Sequence, residues 1–92
     1  MSTGKIPPNA RGAEEALLGC LLIGSRYIEE AASSIQPEMF YHNDLRTIMK
    51  AILAVHSKGS PVDIITVTSE LKRMGEAPGY AIAVTELSSV IS

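Results

Sequence analysis

The stretch Pro61–Glu76, PVDIITVTSELKRMGE, decides the fold because its two halves predict different structures. "VDIITVT" is rich in β-branched residues, which favour strands, whereas "SELKRMG" is typical of the end of a helix. Neither face of a strand over this stretch is cleanly apolar. The sequence also contains no second strand candidate that could satisfy the backbone groups of the first. A strand is therefore disfavoured.

A helix accounts for the same stretch through specific end signals. We expect Asp63 to cap its N-terminus, with Val62 and Val67 forming a hydrophobic staple across the cap. Gly75 is a natural stop, and β-branching lowers helix propensity only slightly. Thr66 as the cap is the alternative. An apolar stripe with helical spacing completes the pattern: Ile64, Val67, Leu71 and Met74.

Apolar periodicity predicts two helices in the first third of the chain. The first begins after Asn9, a good N-cap, and ends at Gly24, while Gly19 in its interior predicts close approach of a neighbouring helix. The second starts at a Ser25 cap and ends near Ile35, because the next residue precedes a proline. The predicted inward-facing residues are Ala13, Leu17, Cys20 and Leu21 in the first helix, and Ile28, Ala31, Ala32 and Ile35 in the second.

Two further helices flank PVDIITVTSELKRMGE. We expect Phe40 to plug the core from a connector, Asn43 to cap the third helix and Gly59 to end it. Pro78 can start the fifth helix, and the apolar pattern still runs at residues 90–91, which predicts a cut inside or just before another helix. The predicted inward-facing residues are Leu45, Ile48, Met49, Ile52, Leu53 and Val55, followed by Ile82, Val84 and Leu87.

Composition supports one small all-α domain. The chain has 92 residues, of which 46% are hydrophobic and only 4% aromatic, so the core is built mainly from aliphatic side chains. We predict a compact orthogonal bundle of about five helices over residues 9–92, preceded by a flexible tail over residues 1–8. The net charge of −2, with scattered Lys and Arg, argues against a domain that grips nucleic acid by itself.

The same composition indicates an intracellular, cytoplasmic protein. Cys20 is the only cysteine, so no intramolecular disulfide can form. No apolar run approaches the ~18 residues that would suggest a membrane span, and no apolar signal segment begins the sequence.

A search for catalytic chemistry finds no candidate centre. His42 and His56 have no carboxylate or cysteine at metal-ligand spacing, and the adjacent glutamate pairs do not share a helix face. Phosphate-loop, dinucleotide and zinc-protease motifs are absent from the sequence. We therefore predict no catalytic, cofactor-binding or metal-binding residue, and a domain that binds other proteins or oligomerises.

Three stretches, in order, resemble the N-terminal domain of the bacterial replicative DnaB-type helicases. They are "IPPN…AEEALLGCLL", "IQPEMFY" and "KGSPVDIITVTSELKRMGE", and the resemblance covers most of Ile6–Leu87. Residues that match the family pattern are Pro7, Pro8, Ala13, Glu14, Leu18, Gly19, Ile35, Pro37, Glu38, Phe40, Tyr41, Gly59, Pro61, Val62, Asp63, Thr66, Val67 and Leu71. Residues that depart from it are Gly12, Met39, Leu45 and Ala83.

The resemblance implies a non-catalytic part of an ATP-dependent helicase that unwinds DNA at replication forks. The parent's motor, which binds ATP and magnesium and contacts DNA, would lie in a separate domain absent here, and a helical hairpin would begin near Ser92. The family's N-terminal domain forms the collar of a homohexamer and docks primase, and a helicase loader is a further expected partner. The predicted partner-contact residues are Arg11, Glu14, Glu15 and Tyr80. The alternatives are the helicase-binding C-terminal domain of a primase, another small helical protein-interaction module, or a helical DNA-binding module.

Overall fold

The computed structural model describes residues 11–24, 27–76 and 79–90, and over these residues the chain is helical without a strand. Five α-helices and one short 3-10 turn follow each other: α1 (Arg11–Ile23), α2 (Ile28–Ser34), the 3-10 turn (Pro37–Met39), α3 (Asn43–Ser57), α4 (Ile64–Arg73) and α5 (Gly79–Val90). The predicted all-α bundle is confirmed. The predicted tail over residues 1–8 and the predicted caps Asn9, Ser25 and Pro78 lie outside the described residues.

The stretch Pro61–Glu76 contains helix α4, and Asp63 is the N-cap of that helix. The Asp63 Oδ1 atom accepts the Thr66 N–H at 2.9 Å, while the Thr66 hydroxyl accepts the Asp63 N–H at 3.0 Å. This reciprocal capping box satisfies two backbone donors that a helix start leaves open. Val62 and Val67 are buried on either side of the cap, as the staple predicts. Thr66 as the cap is wrong, because Thr66 lies three residues inside the helix and completes the box.

Helices α3 and α4 end in the same way, at glycines with left-handed backbone. Gly59 has φ 78° and Gly75 has φ 85°. After α3, the Gly59 N–H donates to the His56 carbonyl at 3.0 Å and the Ser60 N–H to the Val55 carbonyl at 3.3 Å. The equivalent pair of hydrogen bonds closes α4. These are Schellman motifs, which glycine accommodates without steric cost, and both predicted helix stops are confirmed.

Helix α3 is the centre of the core. Helices α1 and α4 both pack against it, and α5 packs across α1 and α4. Phe40 fills the core from the connector, as predicted, and is fully buried. The buried apolar cluster contains residues from every helix: Leu18, Leu21, Leu22, Ile28, Ala31, Phe40, Leu45, Ile48, Met49, Ala51, Ile52, Val55, Val62, Val67, Leu71, Val84 and Leu87. Burying a large aliphatic side chain contributes roughly 1.5–3 kcal/mol, so this cluster is the main stabilising feature.

Two predicted inward faces are rotated in the structure. Ile82 on α5 is 65% exposed, because Val84 and Leu87 turn the opposite side of that helix to the core. Ala13 on α1 is exposed and Cys20 is only half-buried. The inner face of α1 is instead Glu14, Leu18, Leu21 and Leu22. Gly19 is buried in α1, and its close approach to another helix stays a prediction.

The start of α3 also differs from the prediction. Asn43 is the first helical residue rather than the cap, and His42 occupies the cap position without a side-chain cap hydrogen bond. Helix α3 therefore needs another acceptor near its N-terminus, and a buried carboxylate from α1 lies there. None of the helices in the described part of the chain is both long and apolar enough to span a bilayer.

The capping box of α4 can be tested by removing the Asp63 side chain that accepts the Thr66 N–H. Asp63→Ala is expected to lower the free energy of unfolding by about 1–2 kcal/mol, because the Thr66 N–H loses its acceptor. Urea unfolding monitored by circular dichroism measures the change. Ser69→Ala, on the exposed side of the same helix, is the matched control and should stay within about 0.5 kcal/mol of the wild type. Equal effects of the two substitutions would contradict the assigned cap.

Candidate functional site

Glu14 lies inside the protein although it is charged and near the start of α1. Its side chain is fully buried. The Oε2 atom accepts the Tyr41 N–H at 2.9 Å, and Oε1 lies 3.3 Å from the Nδ1 atom of His42. A buried carboxylate is tolerated only when its oxygens have such partners. The side chain is enclosed by its own fold, which does not support the predicted contact of Glu14 with a partner protein, and that contact stays a prediction.

The Glu14 carboxylate holds the connector that leads into α3. It lies at the N-terminal end of that helix, where the helix dipole favours negative charge. From the other side, the Arg46 Nη2 atom donates to the Phe40 carbonyl at 2.9 Å. The rings of Tyr41 and His42 meet edge to face, with centroids 5.3 Å apart. Residues 40–42 are thus fixed by side chains from α1 and α3, which places Phe40 in the core.

The other predicted contact residues lie on neighbouring helices. Glu15 is half-buried on α1, and Tyr80 on α5 packs partly against the core. Because α1 packs against α5, the fold brings the two helices that carry them together. Arg11 begins α1, and its side chain lies outside the described part of the structure. A partner-contact role for Arg11, Glu15 and Tyr80 stays a prediction.

A second buried carboxylate, Glu70 on α4, was not anticipated from the sequence. Its side chain is 4% exposed and forms ion pairs with Lys58 and Arg73. The Lys58 Nζ atom donates to Oε1 at 2.6 Å, while Arg73 donates through Nη2 to Oε2 at 2.6 Å and through Nε to Oε1 at 3.2 Å. This two-point geometry is the strong form of an arginine–carboxylate pair. It ties the C-terminal ends of α3 and α4 together.

The two cations hold Glu70 in its charged form. The hydrogen bond from Arg73, followed by that from Lys58, lowers the pKa of Glu70 to about 2. The same carboxylate raises the pKa of Arg73. Of the two ion pairs, only Glu70–Arg73 can be anticipated from the sequence, because these residues are three positions apart on a helix. Lys58 is 12 positions from Glu70, and nothing local predicts that the two meet.

The described surface contains several clefts. One apolar cleft, of about 440 Å³, lies between α1 and α2, and its lining residues are Leu17, Cys20, Leu21, Tyr27, Glu30, Ala31, Ser34 and Ile35. A second cleft contains His56, whose Nε2 atom lies 3.8 Å from the Glu29 Oε2 atom. Over the described residues, His, Cys, Asp and Glu side chains do not assemble into a group of three that could hold a metal ion.

Large apolar side chains are also exposed at several places on the surface. Five of them are substantially exposed in this part of the chain: Ile23, Tyr27, Tyr41, Ile65 and Ile82. They are spread over α1, α4, α5, the residue before α2 and the connector, and single exposed apolar residues are ordinary on a protein surface.

Comparison with known proteins gives a consistent result. Residues 6–91 match the model of the DnaB-like helicase N terminal domain family. The chain is 36% identical over 91 residues to the replicative DNA helicase DnaB of Rhodothermus marinus, covering 97% of this chain and 10% of that protein. It is 39% identical over 67 residues to the replicative DNA helicase DnaB of Geobacillus stearothermophilus, covering 73% of this chain and 15% of that protein.

A solved structure shows the same fold. The crystal structure of the N-terminal domain of DnaB helicase from Mycobacterium tuberculosis superposes with a TM-score of 0.80 at 30% identity. The match covers 87% of this chain and 57% of that one. The chain therefore spans about half of a solved N-terminal domain and a small fraction of the full-length relatives.

The buried position of Glu14 predicts a structural penalty on its removal. Glu14→Ala is expected to lower the free energy of unfolding by about 1–3 kcal/mol, because the Tyr41 N–H loses its acceptor. Glu14→Gln keeps an acceptor oxygen and should cost less. Chemical unfolding measures both, with Glu86→Ala on the exposed side of α5 as the control. A wild-type stability for Glu14→Ala would contradict the network.

Glu70 predicts a specific dependence of stability on pH. Its pKa is lower in the folded state, about 2, than the ordinary value of 4.5, so the unfolded chain binds this proton more readily. The contribution is fully present above pH 4.5 and is lost as pH falls toward 2. Unfolding free energies of the wild type and Glu70→Gln should differ most above pH 4.5 and converge in acid. Glu86→Gln provides the baseline for an exposed carboxylate, and a pH-independent difference for Glu70→Gln would refute the assignment.

Proposed function

The chain belongs to the family of DnaB-like helicase N-terminal domains, and from this premise we propose that it acts without catalysis in the assembly of a replicative DNA helicase. In this proposal it forms part of the collar of a homohexamer and docks primase at the replication fork. A helicase loader is a further partner. Unwinding, DNA contact and the hydrolysis of ATP with magnesium belong to other parts of the parent, which works in the cytoplasm.

The observation that carries this proposal is the difference between the side chains that are buried and those that are exposed. Among the described residues, Glu14 and Glu70 are buried carboxylates, and both hold helices together through hydrogen bonds. Five large apolar side chains are exposed in the same part of the chain. A helical domain with this distribution is suited to protein–protein contact, in which aromatic and aliphatic side chains carry most of the binding energy.

The alternatives are less well supported. A helicase-binding domain of a primase shares the helical architecture, but the family match and the relatives named above are helicases. A helical DNA-binding module requires clustered cations, whereas the chain carries a net charge of −2. That alternative predicts salt-dependent binding to single-stranded or duplex DNA. We expect fluorescence anisotropy at low salt to detect none.

Primase docking is tested by calorimetric titration of the chain with the C-terminal domain of the primase from the same organism. We expect a saturable 1:1 complex per docking site. Arg11→Ala and Glu15→Ala are expected to weaken it about tenfold or more if they lie in the contact, since central contact residues cost over 1 kcal/mol on truncation. Lys50→Ala, on an exposed position of α3 outside the predicted contact, is the control.

Binding to helicase N-terminal domains without any binding to primase would contradict the docking role. Each variant must retain the wild-type melting temperature, so that loss of affinity is not loss of fold.

A further inference from the structure

The C-terminal end of α3 and one side of α4 form a small cleft with a positive rim. Its volume is about 310 Å³, and its lining residues are Val55, Lys58, Ser60, Ile65, Thr66, Ser69, Glu70 and Arg73. We call the exposed residues around it, Lys58, Ser60, Ile65, Ser69 and Arg73, the basic patch. Two cations and one carboxylate leave a net charge of +1 at this place in a chain whose net charge is −2.

Glu70 holds the two cations of the basic patch in place, but each cation keeps hydrogen-bond donors that Glu70 does not engage. Lys58 spends one of its three donors on Glu70, and Arg73 spends two of its five. Within the described part of the chain, the remaining donors bond no acceptor. Both side chains are about half-exposed or more, at 49% and 65%. Because Glu70 already orders them, a second carboxylate can bind them with little further loss of side-chain entropy.

An apolar residue lies beside these cations. Ile65, in the first turn of α4, is 77% exposed, the highest value among the large apolar side chains described. Ile65 does not belong to the buried side of α4, which contains Val67 and Leu71. The complement to the patch is therefore a surface that presents a carboxylate next to an apolar or aromatic group.

Helix α2 presents that combination on the same chain. Glu30 is exposed, and Tyr27, half-exposed, precedes it by three residues, so that the two lie on one side of the helix. We call Tyr27 and Glu30 the acidic face. Each copy of the chain thus offers one basic patch and one acidic face.

We propose that the basic patch binds the acidic face of a second copy of this chain. Glu30 of one copy pairs with the outer donors of Arg73 and Lys58 of the next, and Tyr27 covers Ile65. Arginine also interacts favourably with an aromatic ring. The proposal rests on the collar assembly proposed above and specifies a surface for it. Because the contact joins two different surfaces, it can either close on itself as a dimer or continue around a ring.

Sedimentation velocity over a wide range of protein concentration tests the contact. The wild type is expected to show concentration-dependent association that weakens with added salt, as exposed charge pairs are screened. Glu30→Lys breaks the acidic face and Ile65→Asp breaks the basic patch, and both positions are exposed, so the fold should be unaffected. Each variant alone should associate about tenfold more weakly or worse.

Mixing the two variants gives the decisive comparison. Glu30→Lys retains an intact basic patch and Ile65→Asp an intact acidic face, so the equimolar mixture should associate more strongly than either variant alone. Ile82→Asp, an exposed apolar position on α5, and Lys50→Glu, an exposed charge on α3, are the controls and should behave as the wild type. Melting temperatures confirm that every variant is folded.

Four outcomes would overturn the proposed contact. They are a wild type that stays monomeric at every concentration, association that persists in both variants, a mixture that stays monomeric, and loss of association in Ile82→Asp as well. Association that persists in both variants removes this surface and leaves collar assembly standing. Primase docking is judged separately by its own titration, so the failure of one proposal is distinguishable from failure of the other.

Discussion

The carboxylate of Glu14 is the contact on which the arrangement of the helices depends. The helices are 7–15 residues long, and helices of that length are marginal in water without tertiary packing. Glu14 is buried on α1 and accepts the Tyr41 N–H immediately before α3. It therefore positions the connector that inserts Phe40 into the core and leads into α3, the helix against which α1 and α4 pack. Its burial would be costly without these bonds, so core and carboxylate support each other.

Glu70 forms the corresponding contact at the C-terminal end of α3. It joins the residue that follows α3, Lys58, to the last turn of α4. The two carboxylates thus close the central helix at both ends, one toward α1 and one toward α4. Acidic side chains that suggest acid–base chemistry in isolation are here devoted to joints between helices. Five large apolar side chains remain exposed on the described residues, together with charged ones such as Glu30, Lys50 and Arg73.

Structural features formed by residues close together in the sequence could be predicted, whereas features that depend on distant residues could not. The Asp63–Thr66 box and the two glycine stops are formed by residues within five positions of each other, so PVDIITVTSELKRMGE could be assigned as a helix despite its β-branched residues. Phe40 was also predictable, as the only Phe in a chain poor in aromatics. The rotation of a helix is different, because it depends on which neighbours pack on it. That is why Ile82 was wrongly placed inside, and why the burial of Glu14, whose partner is 27 positions away, was not predicted.

The direct measurement of the central claim is amide hydrogen exchange at Tyr41, resolved by NMR spectroscopy. In the structure, the Tyr41 N–H is bound to the buried Glu14 carboxylate. We therefore expect slow exchange, close to that of core amides in α3, and much faster exchange in Glu14→Ala under conditions in which the rest of the domain remains protected. An amide at Tyr41 that exchanges in the wild type as fast as an exposed loop would show that the Glu14 joint is not formed, and would contradict the account.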